Sequence, residues 1–192
     1  MIIVGITGGI GSGKTTVSKV LTALEYPVYI ADDEAKRLTN TNLFIKEGLI
    51  KLFGKKIVAD GFLNKKMLAD KIFNNKEKLQ AVNNLIHPVV MKDFTEWKEK
   101  EFSPIIFIET AILFETPFHN MVDKKITVTS PLELRIERLL KRNHTSEQEI
   151  KSRMNSQMSD EEKIKLSDFV IVNDEKTAVL PQIQFILSCL RS

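Results

Sequence analysis

Five short runs of apolar residues predict the strands of a single sheet. The runs are continuous rather than alternating and are rich in β-branched residues, which is typical of strands buried on both faces of a parallel sheet. They occupy residues 2–6, 28–31, 105–109, 125–129 and 169–172. Between them, apolar residues recur at helical spacing over residues 15–24, 132–142, 146–158 and 177–190. We therefore predict an α/β fold with three layers, in which helices cover a five-stranded parallel sheet.

The segment from about residue 33 to residue 103 interrupts this alternation, because it contains no convincing strand. Its apolar residues instead follow helical spacing, at Leu49, Leu52 and Phe53 and again at Leu79, Val82, Leu85 and Ile86. Asp60-Gly61 is a turn signal, and Pro88 is expected to kink or restart the second helical pattern. We interpret the segment as a helical insertion between the second and third strands, where an acceptor substrate would bind.

Composition narrows the class of protein without naming one. The 192 residues, 43% of them hydrophobic, suffice for one globular domain and are few for two. Asp and Glu (25) nearly balance Lys and Arg (28). The net charge of +3 does not indicate a nucleic-acid-binding protein, but it suits one that binds polyanionic small molecules.

The chain shows no signal for secretion or membrane insertion. The N-terminus has neither the basic region nor the cleavage site of a signal peptide, and no apolar run approaches about 18 residues. We expect the single cysteine, Cys189, to be buried in the C-terminal helix, and no disulfide can form within the chain. These features lead us to expect a cytoplasmic protein that does not contact a membrane.

Residues 8–15 match the pattern G-x-x-x-x-G-K-(S/T) of a phosphate-binding loop, or P-loop, and they closely follow the first predicted strand. Glycines let such a loop curl with its N–H groups inward, and the helix that follows adds its dipole to the anion site. We expect Lys14 to reach the β- and γ-phosphates of a nucleoside triphosphate and the Thr15 hydroxyl to hold Mg²⁺. The residues expected to bind the nucleotide are Gly9, Gly11, Ser12, Gly13, Lys14, Thr15 and Thr16. The alternative is a glycine-rich turn that binds nothing, which the register of strand, glycines and Lys-Thr disfavours.

Acidic residues lie at the carboxyl ends of the second and third predicted strands, at the sheet edge where parallel strands also place the P-loop. A kinase needs a group there that orients or deprotonates the acceptor hydroxyl, and we assign this role to Asp32 rather than Asp33. Either residue could instead N-cap the next helix. Glu109 is a candidate for binding Mg²⁺ through water, with a helix or turn cap as the alternative. His87 is expected to be a structural hydrogen-bond partner rather than a catalyst.

Three arginines, Arg135, Arg138 and Arg142, recur at three- and four-residue spacing, so that they share one face of a predicted helix. Cations in that position would neutralise charge on a transferred phosphoryl group. The ordinary alternative is a solvated helix face that pairs with Glu133 and Glu137.

Other nucleotide-binding and nucleic-acid-binding classes fit less well. A GTPase would need the guanine-reading sequence N-K-x-D, and the nearest text, Asn64-Lys65-Lys66-Met67, lacks the acid and follows no predicted strand. A nucleic-acid-binding module would need a basic stripe with exposed aromatic residues, and the basic cluster at 135–142 contains none. A small-molecule kinase therefore fits the residues best.

Several motifs resemble those of the dephospho-CoA kinases over nearly the whole chain. Residues 6–16 are almost identical to the opening of that family, and residues 31–37 resemble its D-A-D-x-x-A-R segment. Residues 85–90 resemble L-x-x-I-x-H-P-x-V, residues 111–115 resemble P-L-L-F-E, residues 137–157 resemble E-R-L…R…R-I-x-x-Q, and residues 167–173 resemble A-D-x-V-I-x-N.

The resemblance implies a P-loop kinase that uses ATP and Mg²⁺ to phosphorylate the ribose 3′-hydroxyl of dephospho-CoA, in the last step of coenzyme A biosynthesis. It implies that Asp32 is the base, that Lys14 contacts the phosphates, and that Arg138 and Arg142 belong to a helical lid that closes over them. We expect one kinase domain over residues 1–192, with the insertion at about 33–103 and the lid at about 135–165. Its expected partners are ATP and dephospho-CoA, with no nucleic acid, while protein partners stay open.

The chain departs from the family pattern at a few positions. Ile30 replaces the first acid of D-A-D, which leaves the division of roles between Asp32 and Asp33 open. Ala111 replaces the usual proline, and Arg135 stands where glutamine is common. The alternative function is that of another P-loop kinase, for a small molecule or a nucleoside phosphate.

Overall fold

A computed structural model describes residues 1–59, 62–72, 75–142 and 146–191, with Ala59, Arg142, Glu149 and Arg153 described by their backbone alone. The chain divides into two compact units. The first, which we call the sheet unit, comprises Met1–Ile30 and Glu101–Ser192. The second, the helical unit, comprises Ala31–Lys100.

The described elements in chain order are β1 (Ile2–Thr7), α1 (Lys14–Ala23), β2 (Val28–Ile30), α2 (Ala31–Thr41), α3 (Leu43–Phe53), β3 (Val58–Ala59), β4 (Phe62–Leu63), α4 (Lys65–Ile72), α5 (Lys76–Lys98), β5 (Ile105–Glu109), β6 (Lys124–Thr129), α6 (Leu132–Arg142), α7 (Glu147–Asn155), α8 (Asp160–Lys165), β7 (Phe169–Val172) and α9 (Val179–Arg191). Short 3-10 turns lie at Lys55–Ile57 and Pro117–Asn120.

The sheet unit contains a five-stranded sheet in the order β2-β5-β1-β6-β7, and every neighbouring pair is parallel. All five residues of β5 are buried, as a continuous apolar run between two other strands predicts. Strands β1, β5, β6 and β7 pack with α1 and α9 around one buried cluster, in which Val17, Phe107 and Ile183 take part. The predicted α/β fold with a five-stranded parallel sheet is thereby confirmed.

The strand order brings four chain segments to the same edge of the sheet, namely the P-loop and the residues after β5, β6 and β7. Strand β1 lies in the centre, and the P-loop follows its carboxyl end. Its neighbours are β5, which ends at Glu109 opposite Ile6, and β6, which leads through Thr129 toward α6. Since parallel strands end at one edge, the residues after β5, β6 and β7 all lie on the side of the P-loop.

Two helix boundaries differ from what the sequence led us to expect. Helix α2 begins at Ala31, immediately after β2, so Asp32 and Asp33 lie in its first turn and neither is an N-cap. The pattern predicted over 146–158 ends early, and a further helix, α8, begins after Ser159. Ser159 and Glu162 form a capping box there, a signal that is visible in the sequence as Ser-x-x-Glu.

The helical unit contains a small sheet that was not predicted, and its helix α5 excludes one of the two outcomes expected at Pro88, a restart of the helical pattern. Strands β3 and β4 pair antiparallel, with Val58 opposite Leu63, although no strand was expected. Two-residue strands are too short to leave an alternating pattern in the sequence. Helix α5 runs through Pro88 for 23 residues, so the pattern does not restart there. Burial of Val82, Val90 and Phe94 on either side of the proline stabilises the continuous helix.

The expectation for Cys189 was wrong, because its side chain is exposed. Helix α9 turns Ile183, Ile186, Leu187 and Leu190 toward the core. These four residues form one face of the helix, and Cys189 lies outside that face. None of the described helices combines the length and the apolar character needed to span a membrane.

Phe107 is expected to be a main contributor to the stability of the sheet unit. It is 0% exposed in β5, and its ring meets Tyr26 edge-on with centroids 5.7 Å apart. We predict that Phe107→Ala lowers the free energy of unfolding by about 3–5 kcal/mol, because it leaves a cavity in the core. The matched control is Phe102→Ala, at a side chain that is 98% exposed, for which urea unfolding should show almost no change. Equal losses in the two variants would contradict this assignment of the core.

We predict that the half-buried side chain of His87 makes the folded protein less stable in mild acid. Its side chain is half-buried on α5, and burial lowers its pKa below the ordinary 6.5, although the negative charge of Asp32 acts in the opposite direction. The unfolded chain therefore takes up a proton on this imidazole more readily than the folded chain does. The contribution of His87 to stability is complete above pH 6.5 and is lost as the pH falls below that value. We predict that His87→Gln loses less stability than the wild type between neutral pH and pH 5.5 or so in urea titrations; an unchanged loss would contradict the role of this residue.

Candidate active site

The P-loop connects β1 to α1 through backbone conformations that glycine allows. Gly11 and Gly13 have φ angles of 82° and 94°, in the left-handed region that other residues rarely adopt. Gly13 is also the N-cap residue of α1. A side chain at Gly13 would collide with the amide group of Asn173, so the loop is closely packed from outside as well.

Lys14 places a positive charge against the backbone of this loop. Its ammonium nitrogen donates to the carbonyl oxygens of Gly8 and Gly9, at 3.0 and 3.4 Å, and the residue is buried. The Ser12 hydroxyl is also buried and has no hydrogen-bond partner among the described residues. An ammonium group and a buried donor at the N-terminus of α1 are the groups that bind phosphate oxygens.

Glu109 lies at the end of β5, and its carboxylate accepts a hydrogen bond of 2.6 Å from the Ser18 hydroxyl of α1. Thr15 and Thr16 are exposed on the first turn of the same helix. Since Ser18 follows Thr15 by nearly one helical turn, the two hydroxyls lie on the same side of α1. No group of three or more His, Cys, Asp and Glu side chains that could hold a metal ion is found in the described part of the chain.

Helix α6 turns two of its arginines toward the P-loop rather than toward solvent. Arg135 donates through Nε to the Ile10 carbonyl at 2.9 Å. Arg138 donates through Nη1 to the Gly11 carbonyl at 3.4 Å and through Nη2 to the Asn173 carbonyl at 3.1 Å. The side chain of Arg142 lies outside the described residues.

Glu137, one of the two acids considered as partners in a solvated face, pairs with another side chain. Glu137 pairs with Lys141 at 2.6 Å on the outer side of α6. Arg138 pairs with Glu175 at 3.1 Å, and Arg135 pairs with Asp160 at 2.6 Å. The geometry is therefore not that of the solvated face for either arginine.

A cavity of about 870 Å³ adjoins the P-loop within the sheet unit. Its lining includes Gly9, Ser130, Arg135, Gln157 and Asp174. Its volume falls in the range of small-molecule sites.

Lys163 was missed in the sequence analysis, which gave Gln157, the last residue of the lid motif, no role of its own. Lys163 is fully buried, and its ammonium donates to the Ala111 carbonyl at 2.6 Å and pairs with Glu115 at 3.1 Å. Gln157 accepts the Ile10 N–H at 3.1 Å. A lysine within a highly charged helix normally indicates a solvated face, so no local pattern could have revealed the buried pair.

The helical unit holds the other predicted site residues. Asp32 lies in the first turn of α2. Its neighbour Asp33 is exposed and pairs with Lys36 at 2.7 Å. Arg37 pairs with Asp93 of α5 at 2.6 Å, which ties α2 to α5 within this unit. Of the predicted residues, therefore, Lys14, Thr15, Glu109 and Arg138 share the sheet unit, and Asp32 belongs to the helical unit.

Known proteins resemble the chain over nearly its whole length. The family model for dephospho-CoA kinase matches residues 2–178. A dephospho-CoA kinase from Bacteroides fragilis (strain YCH46) is 43% identical over 188 residues, which cover 97% of this chain and 92% of the relative. The dephospho-CoA kinase from Porphyromonas gingivalis is 37% identical over 193 residues, covering 100% of this chain and 96% of the relative.

Solved structures agree with the sequence comparisons. The protein TT1252 from Thermus thermophilus superposes with a TM-score of 0.84 at 34% identity, covering 98% of this chain and 95% of its own. A dephospho-CoA kinase from Campylobacter jejuni has a TM-score of 0.66 at 26% identity, with the same coverage of 98% and 95%. Shikimate kinase from Acinetobacter baumannii, at 14% identity and a TM-score of 0.57, covers 99% of this chain and 93% of its own, and shares the fold. The resemblance found in the motifs is confirmed, and the chain belongs to the dephospho-CoA kinase family.

Proposed function

We propose that this protein transfers the γ-phosphate of ATP to the ribose 3′-hydroxyl of dephospho-CoA and releases coenzyme A and ADP. The observation that carries the proposal is the P-loop of a family member, whose backbone carbonyls accept hydrogen bonds from the Lys14 ammonium and from Arg138. In the reaction, the 3′-oxygen forms a bond to the γ-phosphorus while the bond from that phosphorus to the β–γ bridging oxygen breaks. The hydroxyl proton passes to a base, and ADP leaves.

The donor half of the reaction would use the sheet unit. Backbone N–H groups of the P-loop would hold the phosphates, and Lys14 would offset charge at the β- and γ-phosphates. Bound Mg²⁺ would neutralise developing charge on the phosphate oxygens. Mg²⁺ prefers one or two protein oxygen ligands together with substrate phosphates, which suits Thr15 directly and Glu109 through water.

The arginines of α6 would supply further positive charge. Arg138 already lies against the P-loop, and Arg142 lies one turn further along the same helix. We propose that both contact phosphate oxygens when the lid, residues 135–165, closes. Closure would also exclude water, which limits wasteful hydrolysis of ATP.

Asp32 would accept the proton of the 3′-hydroxyl. Asp32 is the second residue after the end of β2 and the second residue of α2. Helix α2 is held to α5 by the Arg37–Asp93 ion pair. Asp33 is the weaker candidate, because its carboxylate is exposed and pairs with Lys36. We also propose a cytoplasmic location, where a chain with a single cysteine needs no disulfide.

A coupled assay of ADP release identifies the acceptor. We expect turnover with dephospho-CoA, and none with AMP or shikimate at the same concentration, because only dephospho-CoA matches the family to which the chain belongs. Phosphate on the 3′-oxygen of the product, assigned by ³¹P NMR, is the second expected result. Turnover restricted to AMP or shikimate would replace the proposal by the alternative of another P-loop kinase.

Substitution of the two adjacent acids tests the base. We predict that Asp32→Asn lowers kcat by about a hundredfold or more, because the amide cannot accept the proton, while affinity for ATP stays close to that of the wild type. Asp33→Asn removes the same charge one position away and breaks only the exposed pair with Lys36, so it serves as the matched control. A larger loss of kcat in the control would transfer the role to Asp33.

A further inference from the structure

Both backbone polar groups of Ile10, in the P-loop, form hydrogen bonds with side chains from outside the loop. Its carbonyl accepts from Arg135 Nε at 2.9 Å, and its N–H donates to Gln157 Oε1 at 3.1 Å. A peptide group is planar and trans, so the Ile10 carbonyl and the Gly11 N–H point in opposite directions. Arg135, by holding that carbonyl outward, therefore turns the Gly11 N–H away from itself, toward the other side of the loop.

The guanidinium group that does this is itself fixed. The Arg135 side chain is 9% exposed, and its Nη1 lies 2.6 Å from Asp160, which is 15% exposed. An ion pair removed from water to this degree is costly to break, because the remaining charge would lose its counter-charge. A side chain added at Gly9 would come within 2.7 Å of both Arg135 Cζ and Asp160 Oδ1, so the pair packs directly against the loop backbone.

Asp160 is in turn connected to the sheet. It is the first residue of α8, whose N-terminus is closed by the Ser159–Glu162 capping box. Lys163 of the same helix is fully buried and donates to the carbonyl of Ala111, which follows β5 closely. Arg135 therefore links the P-loop, through Asp160 and α8, to the segment that follows β5.

We propose that Arg135 is a positioning residue for phosphoryl transfer, which acts by orienting the Ile10–Gly11 peptide of the P-loop and depends on Asp160 to do so. This inference rests on the proposed function. It differs from the role proposed for Arg138 and Arg142, because Arg135 contacts the loop backbone and need not touch the phosphates. A residue that only joined α6 to α8 would affect stability and leave catalysis unchanged.

The main test variant is the double substitution Arg135→Met with Asp160→Asn. Methionine keeps apolar bulk while removing every donor, and asparagine avoids an uncompensated buried carboxylate. We expect kcat with dephospho-CoA to fall by about tenfold to a hundredfold, with KM for dephospho-CoA changed by less than about threefold, because the loop is misoriented and the acceptor site is intact. Affinity for a non-hydrolysable ATP analogue, measured by calorimetry, should fall by about tenfold because one phosphate donor points wrongly.

Two further variants complete the test. Arg135→Lys should recover part of kcat, since an ammonium group can bond Ile10 or Asp160 but not both in the geometry of the guanidinium group. Lys124→Gln is the control, because it breaks an exposed ion pair with Asp168 at the start of β6, outside the lid, and should leave kcat within about twofold of the wild type.

The outcomes separate this inference from the proposed function. If the folded double variant, or the lysine variant where the double one does not fold, keeps both kcat and analogue affinity within about twofold of the wild type, the positioning role is overturned. The calorimetric measurement needs no acceptor. A wild type that fails to phosphorylate dephospho-CoA would therefore overturn the proposed function, while the loss of analogue affinity would still decide the role of Arg135.

Discussion

A loop that binds phosphate with its N–H groups must turn carbonyl groups the other way, and each outward carbonyl needs a donor. In this protein successive carbonyls, those of Ile10, Gly11 and Ser12, accept from Arg135, Arg138 and the Asn173 amide. Each bond fixes the peptide plane that also contains the next N–H. The donors of the anion site are thus oriented before any nucleotide arrives, which is the condition for strong electrostatic stabilisation of a transition state.

The sheet order explains why these particular side chains are available. Strand β6 neighbours β1, and the chain after β6 continues into α6 with its arginines. Strand β7 neighbours β6, and Asn173 is the residue that follows it. A parallel sheet ends all these strands at one edge, so residues that are more than 120 positions apart in the sequence meet around the loop. The topology therefore supports the loop from outside as well as presenting it.

Two ion pairs with little exposure to solvent lie close to the supported P-loop. The pairs Arg135–Asp160 and Lys163–Glu115 each have one member on α8. Such pairs contribute little net stability, because desolvation offsets their attraction, but they strongly restrict geometry. The Met158 N–H also donates to Glu115 at 2.9 Å, so the segment between α7 and α8 is held at several points near the cavity.

The sequence predicted features that depend on neighbouring residues better than features that depend on residues far apart in the chain. The strands and the P-loop were predicted well, because continuous apolar runs and a glycine-rich motif are local signals. Strands β3 and β4 were not predicted, because two-residue strands leave no alternating pattern in the sequence. The burial predicted for Cys189 was wrong, because the exposure of its side chain depends on which face of α9 packs against the core. The burial of Lys163 and the contact made by Gln157 were not predicted, because their partners, Ala111 and Ile10, are remote in the chain.

The contacts outside the loop change the meaning of its glycines. At Gly9 a side chain would overlap the Arg135–Asp160 pair, and at Gly13 it would overlap the Asn173 amide. In both cases the overlapping atoms belong to side chains that hold the loop. The glycines of such a motif are usually explained by the close approach of phosphate to the loop backbone. The glycine pattern is thus required from two directions, by ligand and by supporting side chains. It follows that a kinase of this design cannot exchange the loop or its supporting residues independently, because each is shaped to the other.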